Sequence, residues 1–114
     1  MVKINHTKII IDGIEFASIS EGKRYRELKL MERSGDIKDL VCHPKFLLIP
    51  KKKPLRELKY TGDFEYWDCK RGMLVLEDVK NKWNAKDAKF SVIRRVFYFI
   101  TGRIIEVVIM GGRK

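Results

Sequence analysis

The last third of the chain reads strand, helix, strand, and that order restricts the fold more than any other feature. Met73 to Lys80 forms an extended run that starts apolar and ends charged. Asn84 to Thr101 follows as a helix, with Asn84 as its cap, Asp87 in its first turn and Gly102 as its stop. Ala85, Ala88, Val92, Val96 and Phe99 share one face of it. Arg103 to Met110, rich in Ile and Val, is a final strand. Two strands joined through a helix need a crossover connection, so they belong to one sheet as a parallel pair. Upstream, Tyr60 to Asp68 is parted from Met73 only by a turn around Lys70-Arg71-Gly72, which predicts an antiparallel pair. The sheet is therefore mixed and flanked by helices.

The first half supplies the remaining elements. Ile9-Ile10-Ile11 and Ile14-Glu15-Phe16 flank Asp12-Gly13, a preferred pair for a two-residue turn, and predict a small hairpin. A helix is expected from Ile19 to Ser34, since Ser18 and Glu21 have capping-box spacing and Gly35 can end it. Tyr25, Leu28 and Met31 give it an apolar stripe. Ile37 to Ile49 is extended, and Pro50-Lys51-Lys52-Lys53-Pro54 is an exposed basic loop. The 114 residues make one domain, with a hairpin at 1–17 and a core at 18–110.

Charge narrows the function. Lys and Arg number 25 against 15 Asp and Glu, a formal net charge of +10 with a pI near 9.8. The expected partner is a polyanion, either nucleic acid or an anionic membrane. No run of apolar residues is long enough to span a bilayer, and Met1-Val2-Lys3-Ile4-Asn5-His6 has no signal-peptide stretch. A cytoplasmic protein that binds nucleic acid is the expectation. Cys42 and Cys69 lie far apart, make no zinc-ligand spacing with His6 or His43, and read as free thiols. The absence of Gln and the presence of only three Asn lean towards a thermophilic source.

The central hairpin breaks the rules of a stable sheet. With its turn centred between Lys70 and Arg71, Asp63 lies opposite Asp78, and Thr61 lies opposite Lys80 on the same face. Opposed like charges destabilise a sheet, and each carboxylate raises the other's pKa unless a cation sits between them. Such local violations tend to mark functional sites. A hard divalent cation such as Mg²⁺ takes one or two carboxylates plus substrate phosphate. Lys80 reaches the same pocket and can position a water or neutralise phosphoryl charge. Glu77 points to the opposite face by alternation, whereas Glu65 shares the Asp63 face and is a minor candidate.

Thr61-Gly62-Asp63-Phe64-Glu65-Tyr66 followed by Val75-Leu76-Glu77-Asp78-Val79-Lys80 resembles the bipartite motif of the PD-(D/E)XK phosphodiesterase superfamily. That superfamily has a restriction-endonuclease-like α/β core of order α-β-β-β-α-β, which matches the order read above. Residues 11–18, with Glu21, Arg24-Tyr25, Glu27-Leu28 and Gly35 to Leu40, are similar to small phage-encoded proteins classed as a domain of unknown function and regarded as relatives of Holliday-junction resolvases. His43-Pro44-Lys45-Phe46 is a further mark of that group. The resemblance spans about residues 8 to 108. It implies that Asp63 and Asp78 hold the metal with the Val79 carbonyl, that Lys80 is the catalytic lysine, and that Glu21 completes the site. Glu21 also occupies the capping-box position, so a role confined to the helix is the competing reading. Position 62 is Gly where the superfamily's name has Pro.

The implied activity is a Mg²⁺-dependent endodeoxyribonuclease, with Mn²⁺ as a substitute, that resolves four-way junctions as a homodimer. Flaps, nicks or mismatched duplex are alternative substrates, and a non-catalytic DNA-binding protein is the competing class. Lys51, Lys52, Lys53, Arg56 and Lys59 form a basic segment beside the hairpin. Lys23, Arg24, Arg26 and Lys29 on the first helix, and Lys82, Lys86 and Lys89 around the second, extend the track. Phosphate contacts carry no sequence information, so recognition of DNA shape is expected. Trp67 and Trp83 are candidates for stacking on exposed bases, with core packing the favoured role for Trp67.

Overall fold

A computed structural model describes residues 8–81 and 87–110. The chain is an α/β protein built on a mixed four-stranded sheet. Strands β1 (Ile9–Ile11) and β2 (Ile14–Phe16) form the N-terminal hairpin, with positive φ at both Asp12 and Gly13 in its turn. Helix α1 (Ile19–Ser34) follows. Then come β3 (Ile37–Cys42), β4 (Lys45–Ile49), β5 (Leu58–Thr61), β6 (Phe64–Asp68) and β7 (Met73–Lys80), then α2 (Ala88–Thr101) and β8 (Ile105–Ile109). The main sheet has the order β3-β6-β7-β8. Its first two pairings are antiparallel and the last, β7 with β8, is parallel, as the crossover requires.

Local chemistry explains the limits of α1. The Ser18 hydroxyl accepts the Glu21 N–H, and Gly35 ends the helix in the left-handed region. Gly22 allows the hairpin to sit against this helix, because a Cβ there would lie 2.2 Å from the Ile9 Cδ1 atom.

Alternation along β7 divides the core in two. Val75 packs with Phe16, Tyr25, Leu28, Ile37, Phe64 and Tyr66 on the α1 side. Leu76 packs with Leu48, Tyr60, Phe90, Ile93, Phe97 and Ile105 on the α2 side. Each helix thus covers one face of the sheet, and the charged end of β7 lies buried at the margin of both apolar clusters.

Several expectations are corrected. The expected strand from Tyr60 to Asp68 is two strands, broken at Gly62-Asp63. Thr61 pairs with Lys45 and not with Lys80. The extended stretch 37–49 is also two strands, because His43 takes a positive φ and Pro44 cannot donate to a ladder. The result is a β4–β5 hairpin in a sheet of its own, inserted between the first two strands of the main sheet. The second helix begins at Ala88 with Asp87 as its cap; the expected cap, Asn84, lies outside the described residues, as does Ala85. Its buried face is Phe90, Ile93 and Phe97, while Val92 and Phe99 are exposed. Trp67 is 37% exposed and so is not a core residue. Both cysteines are free. Among the described residues, no helix is long and apolar enough to cross a membrane.

Candidate active site

The site forms where β5, β6 and β7 meet the start of α1, and Asp63 is its hub. The Asp63 N–H donates to the Glu77 carbonyl at 3.0 Å, and its own carbonyl accepts the His43 N–H at 2.9 Å. The carboxylate accepts the Val79 N–H at 2.6 Å. Asp63 therefore straddles Asp78, touching the residues on either side of it. The β6–β7 register is the expected one, with Phe64 opposite Glu77, although Asp63 itself precedes the strand.

Gly62 shows why proline is absent there. Its N–H donates to the Pro44 carbonyl at 2.9 Å, a bond that proline cannot make. A Cβ at this position would also stand 2.7 Å from the Leu76 Cδ1 atom. Glycine at this position thus goes with the inserted β4–β5 hairpin, which brings Pro44 beside the loop.

Asp78 is buried and projects to the α2 side with Lys80. The Tyr60 hydroxyl donates to one carboxylate oxygen at 2.5 Å, and the Lys80 ammonium lies 3.3 Å from the other. Lys80 also rests over the Phe90 ring at 4.2 Å, which confines an otherwise flexible side chain. Burial and the Asp78 carboxylate push the Tyr60 hydroxyl well above its ordinary range, so it stays a proton donor.

Glu21 makes the helix-start contact and also faces the Asp63 loop. Its carboxylate accepts the Ala17 N–H at 3.0 Å, which is a helix-start contact. It also lies 3.5 Å from the His43 imidazole and lines the same cleft as the Asp63 carboxyl. Two carboxyl groups this close favour sharing one proton, and burial tilts it towards Asp63. Burial, the Glu21 hydrogen bond and the charges of Glu21 and Asp78 push the Asp63 carboxyl up to about 9, against the opposing pull of the Val79 N–H. Burial alone would raise Glu21, but its hydrogen bonds with Asp63, Ala17 and His43 outweigh this and leave it below its ordinary value.

Among the described residues, no three His, Cys, Asp or Glu side chains form a ready metal cage. The donor chemistry nevertheless suits a hard cation. Burial and its acidic neighbours favour the protonated form of Asp63, and a divalent cation could replace that proton. Asp63, Asp78 and Glu21 offer the oxygen ligands that Mg²⁺ prefers. Val79, expected to contribute its carbonyl, is seen to engage Asp63 through its N–H.

Two clefts flank the loop and share Thr61. One, of about 560 Å³, includes Lys8, Glu21, His43, Lys45 and Asp63 in its lining. The other, of about 280 Å³, includes Lys59, Tyr60, Asp78, Lys80 and Lys89. Among the expected DNA-contacting residues, Lys51, Lys52, Lys53 and Arg56 are exposed in the β4–β5 loop, outside both clefts. Lys59 lines the second cleft, and Lys23 is exposed on α1. Arg24 turns inward to Glu77. Lys82, Trp83 and Lys86 lie outside the described residues. Sequence reasoning gave no site role to His43, Lys45 or Tyr60. Their signal was adjacency, since His43-Pro44-Lys45 was noted as a mark of resemblance and Tyr60 immediately precedes the Thr61-Gly62-Asp63 motif.

Residues 1–100 match the family described as "Protein of unknown function (DUF1064)". The chain belongs to that family. No curated protein matches this DUF1064 chain, and no solved structure does.

Proposed function

We propose that this DUF1064 protein is a Mg²⁺-dependent endodeoxyribonuclease of the PD-(D/E)XK type that resolves four-way DNA junctions by paired nicks. The observation that carries the proposal is that the Asp63 carboxylate engages the Val79 N–H next to Asp78, with Asp78 against Lys80 on one side of the loop and Glu21 in the cleft on the other, in a chain of net charge +10. Such a cluster is costly in a protein that only binds DNA, because carboxylates repel phosphate. The order of α1, the four main-sheet strands and α2 is α-β-β-β-α-β, which also agrees with the superfamily core.

Mg²⁺, or Mn²⁺ in its place, would be held by Asp63, Asp78 and Glu21 with the Val79 carbonyl, and would supply Lewis-acid stabilisation of phosphoryl charge. The chain's own groups do the rest. Lys80, confined by Asp78 and Phe90, offers a fixed positive charge to the non-bridging phosphate oxygens. Tyr60 holds Asp78 in place through its hydroxyl. Lys45 in one cleft, with Lys59 and Lys89 in the other, can take the phosphates on either side of the cleaved bond. A four-way junction presents two symmetry-related strands, so a homodimer with two such sites is the expected working unit.

The substrate is tested by presenting labelled four-way junction, flap, nicked, mismatched and linear DNA in parallel. Symmetrical nicks in the junction arms at the lowest enzyme concentration support the proposal. Preference for flaps or mismatches would keep the chemistry and reject the junction, whereas binding without cleavage would leave a DNA-binding protein.

A further inference from the structure

The most fully desolvated charged group in the described chain is not one of the candidate metal ligands. It is Glu77, whose side chain is 2% exposed, on the opposite face of β7 from Asp78. Arg24 of α1 grips it in a two-pronged contact, Nε to Oε1 at 2.9 Å and Nη2 to Oε2 at 2.6 Å. The Tyr66 hydroxyl donates to the same carboxylate. The remaining Arg24 nitrogen, Nη1, reaches Glu27 at 2.9 Å.

We propose that the Arg24–Glu77 pair is a positioning clamp that sets the catalytic carboxylates relative to one another. The proposal rests on the nuclease reading for its functional consequence, and on geometry for its structure. Glu21 and Arg24 are three residues apart on α1 and therefore neighbours on one helix face. The arginine fork fixes that face against β7 in both translation and rotation, which a single point charge would not do. On the strand side, the Glu77 carbonyl accepts the Asp63 N–H at 3.0 Å. Its chain neighbour is Asp78, and the Val79 N–H beyond holds the Asp63 carboxylate. One residue thus ties Glu21 through Arg24, Asp63 through its backbone, and Asp78 through the chain. Arg24 is accordingly a positioning residue and not the phosphate contact that its charge suggested.

Arg24→Lys keeps the charge and removes the fork, so it is the primary test. Mn²⁺ affinity, steady-state cleavage and amide exchange are measured on the intact chain. Expected are an Mn²⁺ affinity lowered roughly 10- to 100-fold, a lower kcat with unchanged KM and salt dependence, and faster exchange at the Ala17 and Val79 amides, which report the Glu21 and Asp63 carboxylates. Glu27→Ala, which removes only the exposed partner, should leave all three unchanged. Should Arg24→Lys fail to fold, Arg24→Met combined with Glu77→Met replaces the pair by apolar groups of similar size, a change that buried pairs often tolerate. It should fold and show the same losses. Unchanged exchange and Mn²⁺ affinity in the variant that folds would overturn the clamp. So would a salt slope reduced by about 1 with kcat intact, which marks a phosphate contact. If the wild type neither binds Mn²⁺ nor cleaves DNA, the nuclease reading fails, and the exchange data alone decide the clamp, faster exchange supporting it and unchanged exchange rejecting it.

Discussion

The Asp63 carboxylate accepts the Val79 N–H at 2.6 Å, across the residue that carries the second candidate ligand. A hydrogen bond from a backbone amide ordinarily lowers a carboxyl pKa, yet Asp63 is pushed up to about 9 by burial and by Glu21 and Asp78. In the metal-free protein the protonated form of this carboxyl is therefore favoured at neutral pH.

Binding of Mg²⁺ or Mn²⁺ should displace the Asp63 proton. Calorimetry in buffers of different ionisation enthalpy should report release of about one proton at pH 7. Apparent affinity should rise with pH until about 9 and then level off. The metal should also raise Tm in the wild type and leave the Tm of Asp63→Asn unmoved. Binding with no proton release would place the metal elsewhere.

Asp63 should also set the alkaline limit of stability. Its folded pKa lies above its ordinary value of 3.8, so its neutral form is favoured in the folded state. The contribution is full below pH 3.8 and is lost progressively as pH rises towards about 9. Asp63→Asn keeps an acceptor for Val79 and cannot ionise. The metal-free variant should therefore gain on the wild type from pH 4 to pH 9 in denaturant titrations. A difference that does not vary with pH would show that Asp63 ionises normally.

Much of this site was legible in the sequence. The hairpin turn, both caps of α1 and the β6–β7 register all follow from local signals: Asp12-Gly13, Ser18 with Glu21, Gly35, and the turn near Gly72. Glu77 was assigned to the face opposite Asp78 by alternation alone, and there it meets Arg24. The inserted β4–β5 hairpin was hidden because Ile37 to Ile49 reads as one extended run, and the positive φ of His43 that, with Pro44, divides it is not visible in the sequence. The buried face of α2 was misjudged because that helix has apolar residues on nearly every side. Which of them the sheet covers is decided by packing against Leu76 and Ile105, and no periodicity reveals that. Arg24 shows the same limit, since charge marks a basic residue but not the direction in which it turns.

Truncation of Glu77 should be among the most damaging single changes. Glu77→Ala leaves the half-buried guanidinium of Arg24 with only the exposed Glu27 as partner, and the Tyr66 hydroxyl without its acceptor. Removing one member of a buried pair costs about 3–5 kcal/mol. Chemical denaturation should place Glu77→Ala in that range, and Glu65→Ala, which loses the part-exposed pair with Arg103, well below it. Equal losses would deny the buried pair any special weight.

Gly62 should tolerate no side chain while Leu76 is present. Gly62→Ala puts a Cβ 2.7 Å from the Leu76 Cδ1 atom and should cost roughly 1–3 kcal/mol. Leu76→Val removes that contact, so the double variant should be more stable than the sum of the single effects implies. Strict additivity in a thermal-unfolding cycle would indicate that the clash is relieved elsewhere.

Metal-dependent nicking of a synthetic four-way junction tests the central proposal most directly, with wild type, Asp78→Asn and Lys80→Ala compared with Mg²⁺ and with chelator. Paired nicks that need Mg²⁺ and disappear in both variants, while junction binding persists, are the predicted result. Absence of cleavage by the wild type with either Mg²⁺ or Mn²⁺, or cleavage that survives both substitutions, would contradict it.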